Sequence, residues 1–585
     1  MKLLNVTFVA AVALLDSCKT VPMNTSSRVN TDASQDHWIN PWDPIAAQKW
    51  YTLPQGSHLI SWDLFMNLEQ PQSSEPFANK AQLSSFGFLY PSYENQNWQE
   101  DPRLPLGFRK DKSLLDQQDY LGFNCAACHT GQMSYKGENY FIHAGQGSLE
   151  LDRFIVELRK SLEAHQDKAK WERLVKRLPQ YPGGPKKLEA TLKASIEKVK
   201  RIEHDLLPQT AGGPSRLDAV GWILNTVNSA ELGLEDNWGP VVSPISIPHV
   251  WRAPELQCVQ TNCAAQDPMT RNGGEVLGVF GHVNLKDNRW IPDSLETAVA
   301  LMGQGSLFQS SIKFQNLFEI EQSLRSLNAP HWPTAFGPIQ AELKEKGRSL
   351  YASECASCHV ILPDHPQAIP EEALSAPDTR GHRHVKVSTV NYLELGTDPL
   401  FLATYGTRKA KAGVFTPLLR LAQKNASIQD AEAQNILAIA INVAVQRYFL
   451  SPEFKNLAKE RFVGDDPKKA AEQLKDLFRN ERVFESSPID VYKGRPLDGI
   501  AFTGPFLHNG SVPTLWDLLQ PAAQRPQKFQ VGSWDFDSEK LGPKTDTGTF
   551  LFDTTLPGNS NKGHEYGTAL SLEDKRALLE FLKSL

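Results

Sequence analysis

Four of the seven cysteines in this 585-residue chain fall into two equal spacings, Cys125-Ala126-Ala127-Cys128-His129 and Cys355-Ala356-Ser357-Cys358-His359. No other feature constrains the fold as strongly. A Cys-x-x-Cys-His string is the attachment site of a c-type haem. Two thiols one turn apart add to the two vinyl groups of one porphyrin, and the adjoining imidazole reaches the iron. Structural zinc would need two further Cys or His ligands close by, and neither copy has a second Cys pair or a His-x3-His partner. A thioredoxin-like redox pair would need a βαβ context, which the flanking sequence lacks. The strings predict two covalently bound haem c groups, with His129 and His359 as proximal iron ligands.

The ends of the chain bear on where it works. Lys2 is followed by an apolar stretch from Leu3 to Leu15, too short to span a bilayer and typical of a secretory leader. It closes on Leu15-Asp16-Ser17-Cys18, which resembles the cleavage box of bacterial lipoproteins with Cys18 as the lipidated residue. A plain signal peptide is the alternative. Lys19 after the cysteine favours the outer membrane by the same resemblance. The expected location is therefore periplasmic, outer-membrane-anchored as a lipoprotein, or secreted. Residues 19–45 are small and polar at first and are expected to form a flexible tether. A net charge of -6 argues against a nucleic-acid partner.

Around each string the chain repeats a coarse plan, which points to a duplicated module. Gly347 to Glu354 leads into the second string as a helix, and the last helix is signalled by Ser571 as N-cap with Leu578, Leu579 and Leu582 on one face. Pro330, Pro333 and Gly337 mark a boundary, giving an N-terminal domain over 46–332 and a C-terminal one over 333–585. Between the strings Leu151, Phe154, Ile155, Leu158 and Leu162 keep a 3.6-residue stripe, broken at Pro182 to Pro185 and resumed by Leu188, Leu192, Ile196, Val199 and Leu206: an inserted helical hairpin. Strand signals are sparse, the better ones at Val241 to Ser243 and Phe529 to Val531. The fold class read from this is mainly α: two cytochrome c-like domains with long loops, the hairpin, and little β.

Two such strings about 230 residues apart resemble the bacterial dihaem cytochrome c peroxidase superfamily, which includes the dihaem rubber oxygenases, closest in size. The strings that carry the likeness are Cys125 to Gln132, Arg271 to Phe280, Pro505 to Leu515 (Pro-Phe-Leu-His-Asn-Gly-Ser-Val-Pro-Thr-Leu) and Gly563 to Gly567 (Gly-His-Glu-Tyr-Gly). The resemblance implies a sixth-ligand question, since a filled iron transfers electrons and an open one binds peroxide or dioxygen. Many members use a methionine on the second haem, but no methionine follows Met302 here. His564 is then the first candidate for that site by likeness to the rubber oxygenases, and His508 the second, which in the superfamily more often lies near the haem without ligating it. His365, His382 and His384 are the remaining histidines after the second string. For the first haem, His143 lies where the peroxidases carry a displaceable loop histidine. Glu275 falls where the superfamily has its distal acid, with a helix-capping role as the alternative; His282 is the fallback distal group. Arg216 resembles a family residue near the haem and could pair a propionate, or form a surface salt bridge. The superfamily passes electrons between haems through a tryptophan, but this chain reads Cys258-Val259-Gln260-Thr261-Asn262-Cys263 where relatives often carry one. Trp251 is the nearest substitute, with Trp238 and Trp290 as others. In an oxidising compartment Cys258 and Cys263 are expected to close a local disulfide. Relatives carry a calcium between domains, for which no ligands stand out here.

The leading expectation is a peroxidase-type oxidoreductase that reduces hydrogen peroxide at the first haem with electrons relayed from a donor protein through the second. The alternatives are a dioxygen-using oxygenase that cleaves polyisoprene-like alkenes and a non-catalytic electron-transfer protein.

Overall fold

A computed structural model describes residues 36–91, 98–265, 267–286, 305–377, 381–423, 429–478 and 490–585. The leader with Cys18, most of the expected tether, Trp290 and Met302 lie outside them. Residues 36–45, placed in the tether by the sequence, take part in strand and helix structure. Strand β1 (His37–Trp38) pairs in parallel with Tyr140 and Phe141, and helix α1 (Pro44–Thr52) starts at Asp43, whose carboxylate accepts the Ala46 N–H. Pro44 has no N–H to satisfy at that first turn. Trp50 and Tyr51, adjacent on α1, are both buried.

The first Cys-x-x-Cys-His string sits between strands. Strand β2 (Phe108–Lys112) pairs antiparallel with β3 (Asp119–Phe123), which runs into a single 3-10 turn at Cys125–Ala127. Strands β4 (Thr130–Tyr135) and β5 (Glu138–His143) follow as a hairpin. Lys136 and Gly137 have φ of 52° and 87° at its two-residue turn, the left-handed pair that matches strand twist.

The inserted hairpin forms as α2 (Leu151–Ala164) and α4 (Gly184–Leu206), with both apolar stripes buried against each other. A further helix, α3 (Lys168–Arg177), fills the connection, where Lys170, Arg173 and Arg177 converge on the buried Glu69. Helices α5 (Ala219–Asn225), α6 (Pro268–Gly278) and α7 (Phe314–Leu324) complete the first half, and α8 (Ala341–Glu354) enters the second string as expected.

The boundary at 332/333 does not separate two cores. Helix α9 (Ala433–Leu450), from the second half, packs on α6 in one cluster with Met269, Val276, Phe314 and Leu317. The last helix α10 (Leu572–Leu582), capped by Ser571, crosses α8. Gly347 makes the crossing possible, since a Cβ there would lie 2.0 Å from the Ala577 carbonyl oxygen. The sheets are short: β6 (Ser388–Asn391) pairs with β7 (Val491–Gly494), and β8 (Lys528–Val531) with β9 (Phe550–Asp553). Residues 241–243 form no strand; Val241 makes one bridge to Pro208. The fold is mainly α with little β. Among the described residues no helix is long and apolar enough to cross a membrane.

Candidate cofactor cavity

Both Cys-x-x-Cys-His strings open into one cavity of about 630 Å³. The two imidazoles are held alike. His129 Nδ1 meets the Pro248 carbonyl at 2.7 Å and His359 Nδ1 the Arg495 carbonyl at 2.6 Å. A carbonyl can only accept, so each Nδ1 carries the proton and each Nε2 keeps the lone pair a metal needs. Burial reinforces this by holding the rings neutral, pushing His129 down to about 4 and lowering His359. The four string thiols are outside disulfides, while Cys258 and Cys263 form one.

The donor set fits a covalently attached haem at each string. His564, in the cavity wall, has its ring centre 6.3 Å from that of His359 and its Nδ1 buried without a partner. An imidazole nitrogen binds a metal at about 2 Å and lies about 1 Å from its own ring centre, so rings ligating one iron from opposite sides have centres about 6 Å apart. Burial pushes His564 down to about 4, which keeps its ring neutral. Arg495 adds a buried Nε without a partner, suited to a carboxylate inside the cavity. His508 also lines the wall, but its Nε2 is 3.2 Å from the Tyr492 hydroxyl and its ring stacks on that phenol at 4.2 Å, so it is held beside the site.

Near the first string the wall turns polar. Helix α6 brings Arg271, Asn272 and Glu275 to the cavity, and α7 brings Glu321. Arg271 and Asn272 both bond Glu321, while Gln260, from the disulfide loop, donates to Glu275 Oε1 at 3.3 Å. Burial raises the Glu275 carboxyl above the usual range, with Glu321 adding to the rise and Arg271 and Lys493 opposing it. Elsewhere Val220, Ile223, Leu437 and Ile441 give the cavity an apolar lobe between α5 and α9.

The two proximal histidines are joined through the protein. Next to Pro248, His249 lines the cavity and stacks on the buried Trp251 at 3.8 Å; its carbonyl accepts from Arg495 Nη2 at 3.3 Å, and the Arg495 carbonyl holds His359. Trp251 itself is fixed by Nε1 donating to the Asp498 carbonyl.

Several expected site residues are placed elsewhere. His143 does not line the cavity: β4 pairs Thr130 with His143, and the ring enters a box of Trp38, Trp42, Tyr51 and Trp98. His282, beyond the turn at Phe280, pairs with Glu231 half-exposed. Arg216 spends its guanidinium on the Gly212 and Pro244 carbonyls and Asn559, over the Phe552 ring, and so ties loops together. His365 pairs with Glu255 and Arg252. Among the described residues no group of three or more His, Cys, Asp or Glu gathers as a metal site. The sequence reading missed His249, Arg495, Lys493 and Glu321; only a charged residue inside an otherwise apolar helix stripe could have pointed to Glu321.

Residues 491–530 match the RoxA-like, cytochrome c-like family, a match that implies covalent haem c. The uncharacterized protein y4iJ of Sinorhizobium fredii is 31% identical over 568 residues, spanning 88% of this chain and 87% of that protein. The uncharacterized protein y4iM of the same organism is 36% identical over 88 residues, 13% of this chain and 20% of that protein.

Proposed function

This chain belongs to the family of Sinorhizobium fredii y4iJ, and we propose that it is an oxidoreductase with two covalently bound haem c groups that reduces hydrogen peroxide at the first. The observation that carries this reading is Glu275 on the cavity wall by the first string, its carboxyl raised by burial and steered by Gln260. Bound haem supplies iron redox chemistry at both strings. The chain's own residues do the rest. Glu275 accepts a proton from the peroxide oxygen that approaches the iron and returns it to the departing one, a general acid/base task. Gln260 orients that carboxylate, and Arg271, neutralised by Glu321, limits how far its proton affinity rises. His359 and His564, with ring centres 6.3 Å apart, would hold the second haem, whose chemistry there would be electron transfer. The stacked His249 and Trp251 with Arg495 provide the route between the sites. Electrons enter from a donor protein, and the leader-like stretch from Leu3 to Leu15 supports a reaction outside the cytoplasm, in the periplasm, on a lipid anchor at the outer membrane, or secreted. Stopped-flow mixing of the reduced protein with peroxide tests the reading: rapid oxidation of both haems is expected, and failure to oxidise either overturns it.

A second reading is an oxygenase acting on an apolar alkene, favoured by the lobe of Val220, Ile223, Leu437 and Ile441. Aldehyde or ketone fragments from polyisoprene would establish it, and absence of products from any alkene would remove it.

A further inference from the structure

The box around His143 is a continuous aromatic path from the cavity to the surface. Trp50 on α1 lines the cavity beside Asn124 and Cys125. Its ring centre is 6.0 Å from that of Trp42, and Trp42 is 5.5 Å from His143. His143 stacks on Trp38 at 4.0 Å with the planes only 14° apart. Tyr51, fully buried, stacks on Trp98 at 4.3 Å and places its hydroxyl 2.9 Å from His143 Nδ1. Trp38, on the short strand β1, is half-buried and reaches the surface next to the exposed His37.

Tryptophan and tyrosine are the side chains that give up an electron most readily in a dry interior. Tyrosine does so at physiological potentials only when its phenolic proton has somewhere to go. Here the acceptor is built in. Burial holds the His143 ring neutral, pushing it down to about 3, and in the tautomer protonated at Nε2 its Nδ1 accepts from the phenol. The four indoles, the phenol and the imidazole come from three separate pieces of chain, 38–51, 98 and 143. Packing alone would be served by any large apolar side chains; it does not require a phenol bonded to a buried imidazole at the centre.

We propose that Tyr51, hydrogen-bonded to His143, is a one-electron redox site that serves the first haem through Trp42 and Trp50, with Trp38 as the surface terminus. The proposal rests on the peroxidase reading for its oxidant. Hydrogen peroxide takes two electrons and two protons to give two waters. When the second haem supplies only one electron, Tyr51 supplies the other: the electron leaves by way of Trp42 and Trp50, and the phenolic proton moves to His143 Nδ1. A neutral tyrosyl radical and an imidazolium remain. A reductant at the surface then returns one electron through Trp38, and the proton goes back to the phenolate oxygen. The device carries oxidising equivalents away from the cavity when the donor is short, or to a reductant too large to enter.

The test mixes the holoprotein, with only its second haem reduced, with hydrogen peroxide, and follows peroxide uptake and the freeze-quenched electron paramagnetic resonance spectrum together. A tyrosyl radical is expected in the wild type. Tyr51→Phe, which keeps the ring and its stacking, should abolish that signal, while peroxide uptake by the same variant with both haems reduced stays within twofold of wild type. Trp42→Phe should slow radical formation at least tenfold. Uptake with a radical unchanged in Tyr51→Phe, or with no protein radical at all, overturns the proposal while leaving the peroxidase reading intact. If the wild type takes up no peroxide, that reading fails. The path is then tested by flash-quench oxidation of the same holoprotein with a soluble ruthenium photo-oxidant. There a radical lost in Tyr51→Phe supports the site, and equal radical in both proteins refutes it.

Discussion

Replacing Glu275 by Gln removes the proton-transfer function and keeps the shape. The amide can still meet Gln260, which holds the native carboxylate at 3.3 Å, and α6 keeps its place through the bonds of Arg271 and Asn272 to Glu321. What is lost is the group proposed to move a proton as the peroxide bond breaks. Positioned acid/base groups are worth about 10²–10⁴-fold, so the barrier should rise by roughly 3–5 kcal/mol at 1.36 kcal/mol per decade. The pH dependence sharpens this. A base must be ionised, so the rate falls as pH drops through the Glu275 value, which burial places above its ordinary 4.5. Glu275→Gln should be slow and show no such limb. Glu321→Gln removes a neighbouring negative charge that raises Glu275, so the limb should move to lower pH with the maximal rate retained. Stopped-flow peroxide kinetics on protein of matched haem content measures both variants. A Glu275→Gln rate within threefold of wild type, or an unaltered limb in both variants, refutes the reasoning.

His564→Ala should convert the second haem from low spin to high spin, and added imidazole should restore the low-spin spectrum; an unchanged spectrum would mean another group ligates that iron. Glu69 is held down at about 2 from an ordinary 4.5 by Arg173 and its neighbours. Its contribution is therefore full above about pH 4.5 and fades as pH falls toward 2. With allowance for the partly exposed cations, Glu69→Gln should cost about 1–2 kcal/mol at pH 7 and nothing near pH 2, read as melting temperature against pH. Gly347→Ala forces a methyl group onto the Ala577 carbonyl, 2.0 Å away, and should cost about 1–3 kcal/mol. An unchanged melting temperature would show that α8 and α10 can part without loss.

What was legible in the sequence was local. The two strings, the stripes of α2 and α4, and the Ser571 cap depend on residues a few positions apart, where spacing alone dictates geometry. Partners that arrive from afar left no such trace: Pro248 is 119 residues from His129, and Arg495 is 136 from His359. His249 and Arg495 were therefore unreadable, although together they join the two sites. His143 was misread because its 14-residue offset from His129 reads as a loop return. Those residues instead form the hairpin β4–β5, whose pairing with β1 turns the ring toward Trp38. The division at residue 332 failed for a similar reason, since prolines mark a break in local structure while the apolar faces of α6, α7 and α9 build one core across it.

One cavity is proposed to hold two unlike iron centres, the second between His359 and His564 and the first open beside Glu275. The electron paramagnetic resonance spectrum of the fully oxidised holoprotein tests it most directly. Two ferric signals of equal weight are expected, one low-spin with the g-values of a bis-imidazole haem and one high-spin signal altered by added small ligands. Two low-spin signals, both indifferent to added ligand, would contradict it.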